Sequence, residues 1–180
     1  VMVVRNSVFI NNSSYSGSGG AVFSIYSTTY FENVRFENNY GEESAGAIYV
    51  TRSRHTYQRC SFSGNLADDQ HGGAISSFYS NLFIHNSLFY GNQANVEAGG
   101  LFLLQTNLEA TNSTFVSNNA PNRGAISVSF NSGGSIVNSI FWDNGGFLED
   151  ENLPPAQAYL YDPTFSLDIT YSIMEFGWPG

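Results

Sequence analysis

Apolar and polar residues alternate over short runs along most of this chain, and the runs themselves recur at a fixed distance. The clearest copy reads LFIHNSLF from Leu82, followed by the polar loop GNQANVEAGG and the apolar run LFLLQ. Alternation with a period of two marks strands with one buried face. No window of about 11 residues keeps a 3.6-residue period, so helices are not predicted. Phenylalanines mark the long period. Phe9, Phe36, Phe62, Phe89, Phe115 and Phe141 are spaced by 27, 26, 27, 26 and 26 residues, each inside a near-copy of Asn-Ser-x-Phe. Each is followed three positions later by an asparagine: Asn12, Asn39, Asn65, Asn92, Asn118 and Asn144. A second motif keeps step, with Gly20, Gly46, Gly73, Gly100 and Gly124 each opening a short apolar run. Counted from these glycines, Val22, Ile48, Ile75, Phe102 and Ile126 are predicted to face inward, and Phe23, Tyr49, Phe78 and Leu103 outward.

A repeat of this length that binary pattern assigns to strands predicts a solenoid. A leucine-rich repeat would need a helical stretch, and a propeller blade about 40 residues. Three short strands with three turns per repeat describe one coil of a single-stranded parallel β-helix, all-β, with roughly six to seven coils stacked at about 4.8 Å. The phenylalanines then stack inside the rod. Asparagine amides ladder from coil to coil, and asparagine tolerates the left-handed backbone that sharp bends need. The repeating glycine supplies either φ > 0 or a close backbone approach. Arg59 replaces the first asparagine of one copy (RCSFSGN), where a break in the ladder is expected.

Residues 1–180 read as one domain. The period fails after Asn144, and residues 145–168 form an irregular excursion with the acidic run Glu149, Asp150, Glu151 before Pro154 and Pro155. Within it QAYLYD is predicted as a replacement strand, and ITYSIMEF (Ile169–Phe176) resumes the alternation, with Tyr171-Ser172-Ile173 at the Asn-Ser-x position. The first residues already lie inside a repeat and no cap covers either end, so the sequence reads as a segment of a longer chain. Uncovered strand edges favour pairing with the rest of that chain or with other copies end to end.

Composition narrows the partners. The formal net charge is −9, all six basic residues are arginine, and only 12% of residues are charged. Nucleic acid and anionic membranes need a basic face and are disfavoured; cations and neutral glycans remain. Cys60 stands alone, so no internal disulfide forms, and its inward position predicts an inert buried thiol. No apolar run is long enough for a transmembrane helix. Asn11, Asn12 and Asn112 sit in N-x-S/T sequons.

The FxxN and GGAI motifs, repeated at this spacing, resemble the right-handed parallel β-helix repeats of bacterial surface proteins, among them the polymorphic outer-membrane protein type. The resemblance covers residues 5–144 and, more loosely, 169–180. It implies a right-handed coil, secretion or display on the outer cell surface, and adhesion or scaffolding. It brings no catalytic residue to this chain, since every matching residue is structural.

Candidate chemistry lies in what departs from the repeat. ADDQHGG places Asp68, Asp69 and His71 together, and polysaccharide-degrading enzymes with this fold hydrolyse glycosidic bonds with paired carboxylates. The plainer reading is a solvated acidic turn. Glu42, Glu43, Asp68, Asp69 and Glu97 fall in three consecutive loops and are candidate Ca²⁺ ligands, although no calcium-loop spacing is present. Arg52, Arg54 and Arg59 with His55 form the one basic patch. A lyase would use such a residue as proton abstractor with calcium, but arginine keeps its proton, and pairing with nearby acids is the expected role. Phe23, Tyr26, Tyr49, Phe78, Tyr79 and Leu103 are expected as an outward stripe suited to stacking on sugar rings or a protein partner.

Overall fold

In the computed structural model, which describes residues 1–121, 123–145, 157–160 and 166–175, the chain winds as a parallel β-solenoid with no helix among those residues. The first coil sets the unit: β1 (Met2–Arg5), β2 (Val8–Ile10), β3 (Ser13–Ser14) and β4 (Val22–Ile25). Each pairs in parallel with its counterpart one coil on, and these pairings build four sheets, here numbered 1 to 4 after those strands. The coil therefore has four strands and not the three that alternation predicts. The strands of sheet 3 are only two residues long, too short to show an alternation. Among the described residues, sheets 1 and 2 hold seven strands, sheet 4 six and sheet 3 four. In the fifth pass sheet 3 shrinks to the isolated bridge Gln93↔Asn119. About five turns close, fewer than the six to seven predicted from the phenylalanine count.

The core is built from stacked rows. Phe9, Phe36, Phe62, Phe89, Phe115 and Phe141 form one column with ring centroids 4.7–5.0 Å apart and planes within 9°. Beside it run Phe31, Tyr57, Ile84, Ala110 and Ile136, all fully buried. Parallel in-register pairing forces like residues into these columns, because each residue's partner is its equivalent one period away.

Three corners each open on a residue in the left-handed region; at two of them, and from Ser87 onward at the third, the next residue's side chain accepts a hydrogen bond from the coil below. Between sheets 2 and 3 the left-handed residues are Asn11, Asn38, Gly64, Gly91, Ser117 and Asp143. The ladder residue follows each of them: Asn12, Asn39, Asn65, Asn92, Asn118 and Asn144. The amide nitrogens of Asn12 to Asn118 each donate to the next Oδ1 at 2.8–2.9 Å, and those from Asn39 to Asn144 also to a phenylalanine carbonyl. Laddering and left-handed backbone, assigned above to one asparagine, thus belong to neighbouring residues. Between sheets 1 and 2 the left-handed residues are Asn6, Asn33, Arg59, Asn86, Asn112, Asn138 and Tyr171. Their exposed amide ladder is interrupted at Arg59, whose guanidinium bonds Glu32.

The repeating glycines are needed for close approach. A Cβ on Gly20, Gly46 or Gly73 would strike the carbonyl oxygen of Gly46, Gly73 or Gly99, and none of the three has a positive φ. Gly99, and not Gly100, occupies this row, because Leu101 pairs with Ile75 and Ile126. The register inferred from Gly100 is therefore off by one residue, and a one-residue slip exchanges the faces. Leu101 and Leu103 point into the core, and Phe102 lies outside with Tyr49 and Phe23.

After Asn144 the rod closes differently. Gln157 accepts from the Asn144 amide at 2.8 Å and ends the inner ladder. Ala158–Leu160 pairs with Ile126–Ser129 where a glycine-led strand would sit. Leu167–Thr170 and Ile173–Met174 then extend sheets 1 and 2, with Met174 in the phenylalanine row. The acidic run Glu149 to Glu151, Pro154, Pro155 and the terminal FGWPG lie outside the described residues.

Candidate functional site

The third corner, between sheets 4 and 1, uses different residues. Its ladder is made of hydroxyls: backbone N–H groups of Ser27, Ser53, Ser80 and Thr106 donate to the side chains of Ser53, Ser80, Thr106 and Ser132. The left-handed positions before them are Tyr26 (φ 51°), Arg52 (φ 47°), Tyr79 (φ 53°) and Gln105 (φ 48°). Bulky side chains rarely adopt this conformation, and the other two corners mostly avoid it with Asn or Gly. The left-handed turn aims each side chain off the rod. Tyr26 and Tyr79 are 72% and 52% exposed.

One coil apart, these side chains meet. The Arg52 guanidinium lies 5.6 Å from the Tyr26 ring centroid and 5.4 Å from that of Tyr79, so the cation sits between two rings along the rod axis. Arg54, on the adjoining strand Arg54–Gln58, lies 4.0 Å over the Phe83 ring. Together with Thr28 and Asn81 they line an open groove of about 470 Å³ whose floor is the serine ladder. The four other arginines are paired with carboxylates: Arg5 and Arg59 with Glu32, Arg35 with Glu37, Arg123 with Glu97. Among the described residues Arg52 and Arg54 have no carboxylate partner, contrary to the acid pairing expected for them. In a chain of net charge −9, the groove is a local positive site walled by aromatic rings.

The outward stripe on sheet 4 adjoins it. Phe23 stacks on Tyr49 at 5.3 Å, Tyr49 on Phe78 at 5.0 Å, and Phe78 meets Phe102 at 5.7 Å. The stripe passes from exposed Phe23 to Phe102, buried beneath the His71 ring at 4.3 Å. Leu103, expected in it, is a core residue; Phe102 takes its place.

The loop acids are dispersed. Asp68 accepts from Tyr40 Oη at 2.7 Å and from Asn95 Nδ2 at 2.6 Å, and the first bond pushes the Tyr40 phenol up to about 12. Asp69 and Glu43 are exposed, and the Asp69 N–H donates to the Glu42 carbonyl. Glu97 bonds Arg123 and Ser127. Its carboxylate lies 3.8 Å from His71 Nδ1, which makes no hydrogen bond; burial, partly offset by Glu97, lowers the His71 pKa. His71 and Asp68 thus have separate partners. Among the described residues no three His, Cys, Asp or Glu side chains gather as a cation would require. His55 leaves the basic patch for the core, where Ser24 Oγ lies at 2.7 Å and Tyr57 Oη at 2.9 Å. Desolvation there pulls its pKa down to about 4. Cys60 is buried, with its thiol pushed up to about 11.

The sequence held one unused signal for the groove. Tyr26, Arg52 and Tyr79 are separated by 26 and 27 residues, in step with the repeat, so they had to lie in one row.

Four parallel sheets joined by laddered corners define the class: a parallel β-solenoid with an exposed aromatic and cationic corner. The chain belongs to the right handed beta helix region family, whose model matches residues 1–152. It is also similar to the metabotropic glutamate receptor-like protein R of Dictyostelium discoideum, with 34% identity over 135 residues, 74% of this chain. The matched stretch spans only 8% of that relative's length. No solved structure matches the chain. Among the described residues no helix is long and apolar enough to cross a membrane, which leaves open any crossing by strands.

Proposed function

We propose that this β-helix is a non-enzymatic scaffold or adhesive element of an extracellular or cell-surface protein, and that it presents a ligand surface on its side. The observation that carries this reading is the fate of the polar groups. Asp68, His71, Glu97 and His55 each hold neighbouring coils or the core together, whereas the unpaired cations and exposed rings lie at one outward corner. The receptor-like name of the Dictyostelium relative and the likeness to surface-displayed repeats support the placement. Antibodies raised against the 180-residue chain are expected to label intact cells that express the native protein. Labelling only after permeabilisation would overturn the surface placement. For the non-enzymatic part, the chain should release no sugar from acidic or neutral polysaccharides; release that disappears in an Asp68→Ala/Asp69→Ala variant would establish an enzyme instead.

A further inference from the structure

The geometry points to the Tyr26–Arg52–Tyr79–Arg54 groove as a binding site for a saccharide that bears an isolated carboxylate or sulfate. The inference rests on the reading of the rod as a ligand-presenting scaffold and specifies the ligand. Three observations combine. First, the corner holds Tyr26, Arg52, Tyr79 and Gln105 in succession in the left-handed region, whereas the other two corners use Asn or Gly at most such positions and a bulky residue only singly, at Arg59 and Tyr171. Backbone strain retained at a replaceable position is a mark of function. Second, Arg52 is held by rings on both sides and has no carboxylate partner among the described residues. Cation–π contact uses none of the guanidinium N–H groups, and that N–H fork is what meets an oxyanion in two parallel hydrogen bonds. Arg54, stacked on Phe83, supplies a second such edge beside the same groove. Third, exposed Tyr26 and Tyr79 offer their hydroxyl edges and the ring surface not covered by Arg52, which suits contact with the C–H groups and hydroxyls of a sugar ring.

Charge sets the limit on the ligand. The chain as a whole carries −9, so a polyanion that runs along the rod is repelled beyond the groove, whereas one oxyanion on an otherwise neutral saccharide meets only the two arginines. A protein-bound carboxylate or sulfate would satisfy the cations but would leave the exposed tyrosine edges unused.

The test is a titration of the 180-residue chain with methyl glucuronide, glucose 6-sulfate, neutral methyl glucoside, inorganic sulfate and polygalacturonate, followed by ¹H–¹⁵N shifts that include the arginine Nε–H groups. Methyl glucuronide or glucose 6-sulfate should bind and shift the Arg52 Nε–H, and whichever of the two binds identifies the oxyanion. The neutral glucoside and free sulfate should each bind at least about tenfold more weakly, the loss of one charge-assisted contact or of the ring contact. Arg52→Asn places a residue suited to the left-handed region at the corner, so its melting temperature should stay within about 4 °C of wild type while affinity falls at least about tenfold. Tyr26→Asn/Tyr79→Asn should weaken the sugar and leave free sulfate unchanged. The site is wrong if the neutral glucoside matches the acidic sugars, if free sulfate matches the sulfated sugar, or if Arg52→Asn binds as wild type does. It is also wrong if polygalacturonate binds far more tightly than the monosaccharide in a salt-dependent way. None of these results bears on surface labelling, so the scaffold reading stands or falls separately.

Discussion

Side chains in this rod act mostly through their equivalents one period away, and single substitutions should be felt accordingly. Phe89 lies between Phe62 and Phe115 with centroids 4.7 Å away on each side. Its replacement by Ala should cost about 3–5 kcal/mol in chemical denaturation; a cost below about 0.5 kcal/mol would contradict the stack. His55 gives a pH signature. Its pKa lies near 4 in the fold, against an ordinary 6.5, so the unfolded chain takes up a proton that the fold refuses. Stability is then complete above pH 6.5 and lost as pH falls towards 4, by up to about 3 kcal/mol. A His55→Leu variant should show a smaller loss across that window; equal slopes for both proteins would remove His55 as the cause. The inward face of His55 was not legible, because alternation assigns a face only once the register is fixed.

Strands and corners are where local chemistry meets close packing. Gly73→Ala would press a methyl against the Gly99 and Gln93 carbonyls of the adjacent coil, whereas Gly91, with φ of 60°, has nothing within 4 Å of a Cβ. Gly73→Ala should therefore cost about 1–3 kcal/mol through overpacking, and Gly91→Ala about 1–2 kcal/mol through backbone strain alone. Shifts of sheet 4 amides confined to the Gly73 variant would separate the two causes. At the tyrosine–arginine corner the opposing terms nearly cancel. Arg52→Asn gives up two exposed cation–π contacts of about 0.5–1 kcal/mol each and relieves a left-handed strain of about 1–2 kcal/mol. The net change in denaturation free energy should fall within about 1 kcal/mol of zero. A loss above about 2 kcal/mol would make the stack a structural device.

At the scale of the whole rod, each coil touches only its neighbours, so stability is a sum of local interfaces. Amide exchange should be slowest in the coils of Phe62 and Phe89 and faster in the first coil, where the core residues Val4, Phe9 and Val22 are only partly buried. Protection that is equal from end to end would indicate opening only as one unit.

The phenylalanine and asparagine spacing, with the period-two alternation, determined an all-β parallel solenoid, because in-register stacking requires like residues at one period, and a period is visible in one dimension. The two-residue strands of sheet 3, the Gly99 register and the faces of Leu103 and Phe102 were decided only by packing, since a run of Gly-Gly-Leu-Phe-Leu-Leu fits two registers equally well. The groove lies between these cases. Tyr26, Arg52 and Tyr79 keep the repeat spacing in the sequence, but that Arg52 would lie between two rings and not against an acid depended on a left-handed corner. That corner turns its side chains away from the neighbouring sheets, and only the folded coil defines it.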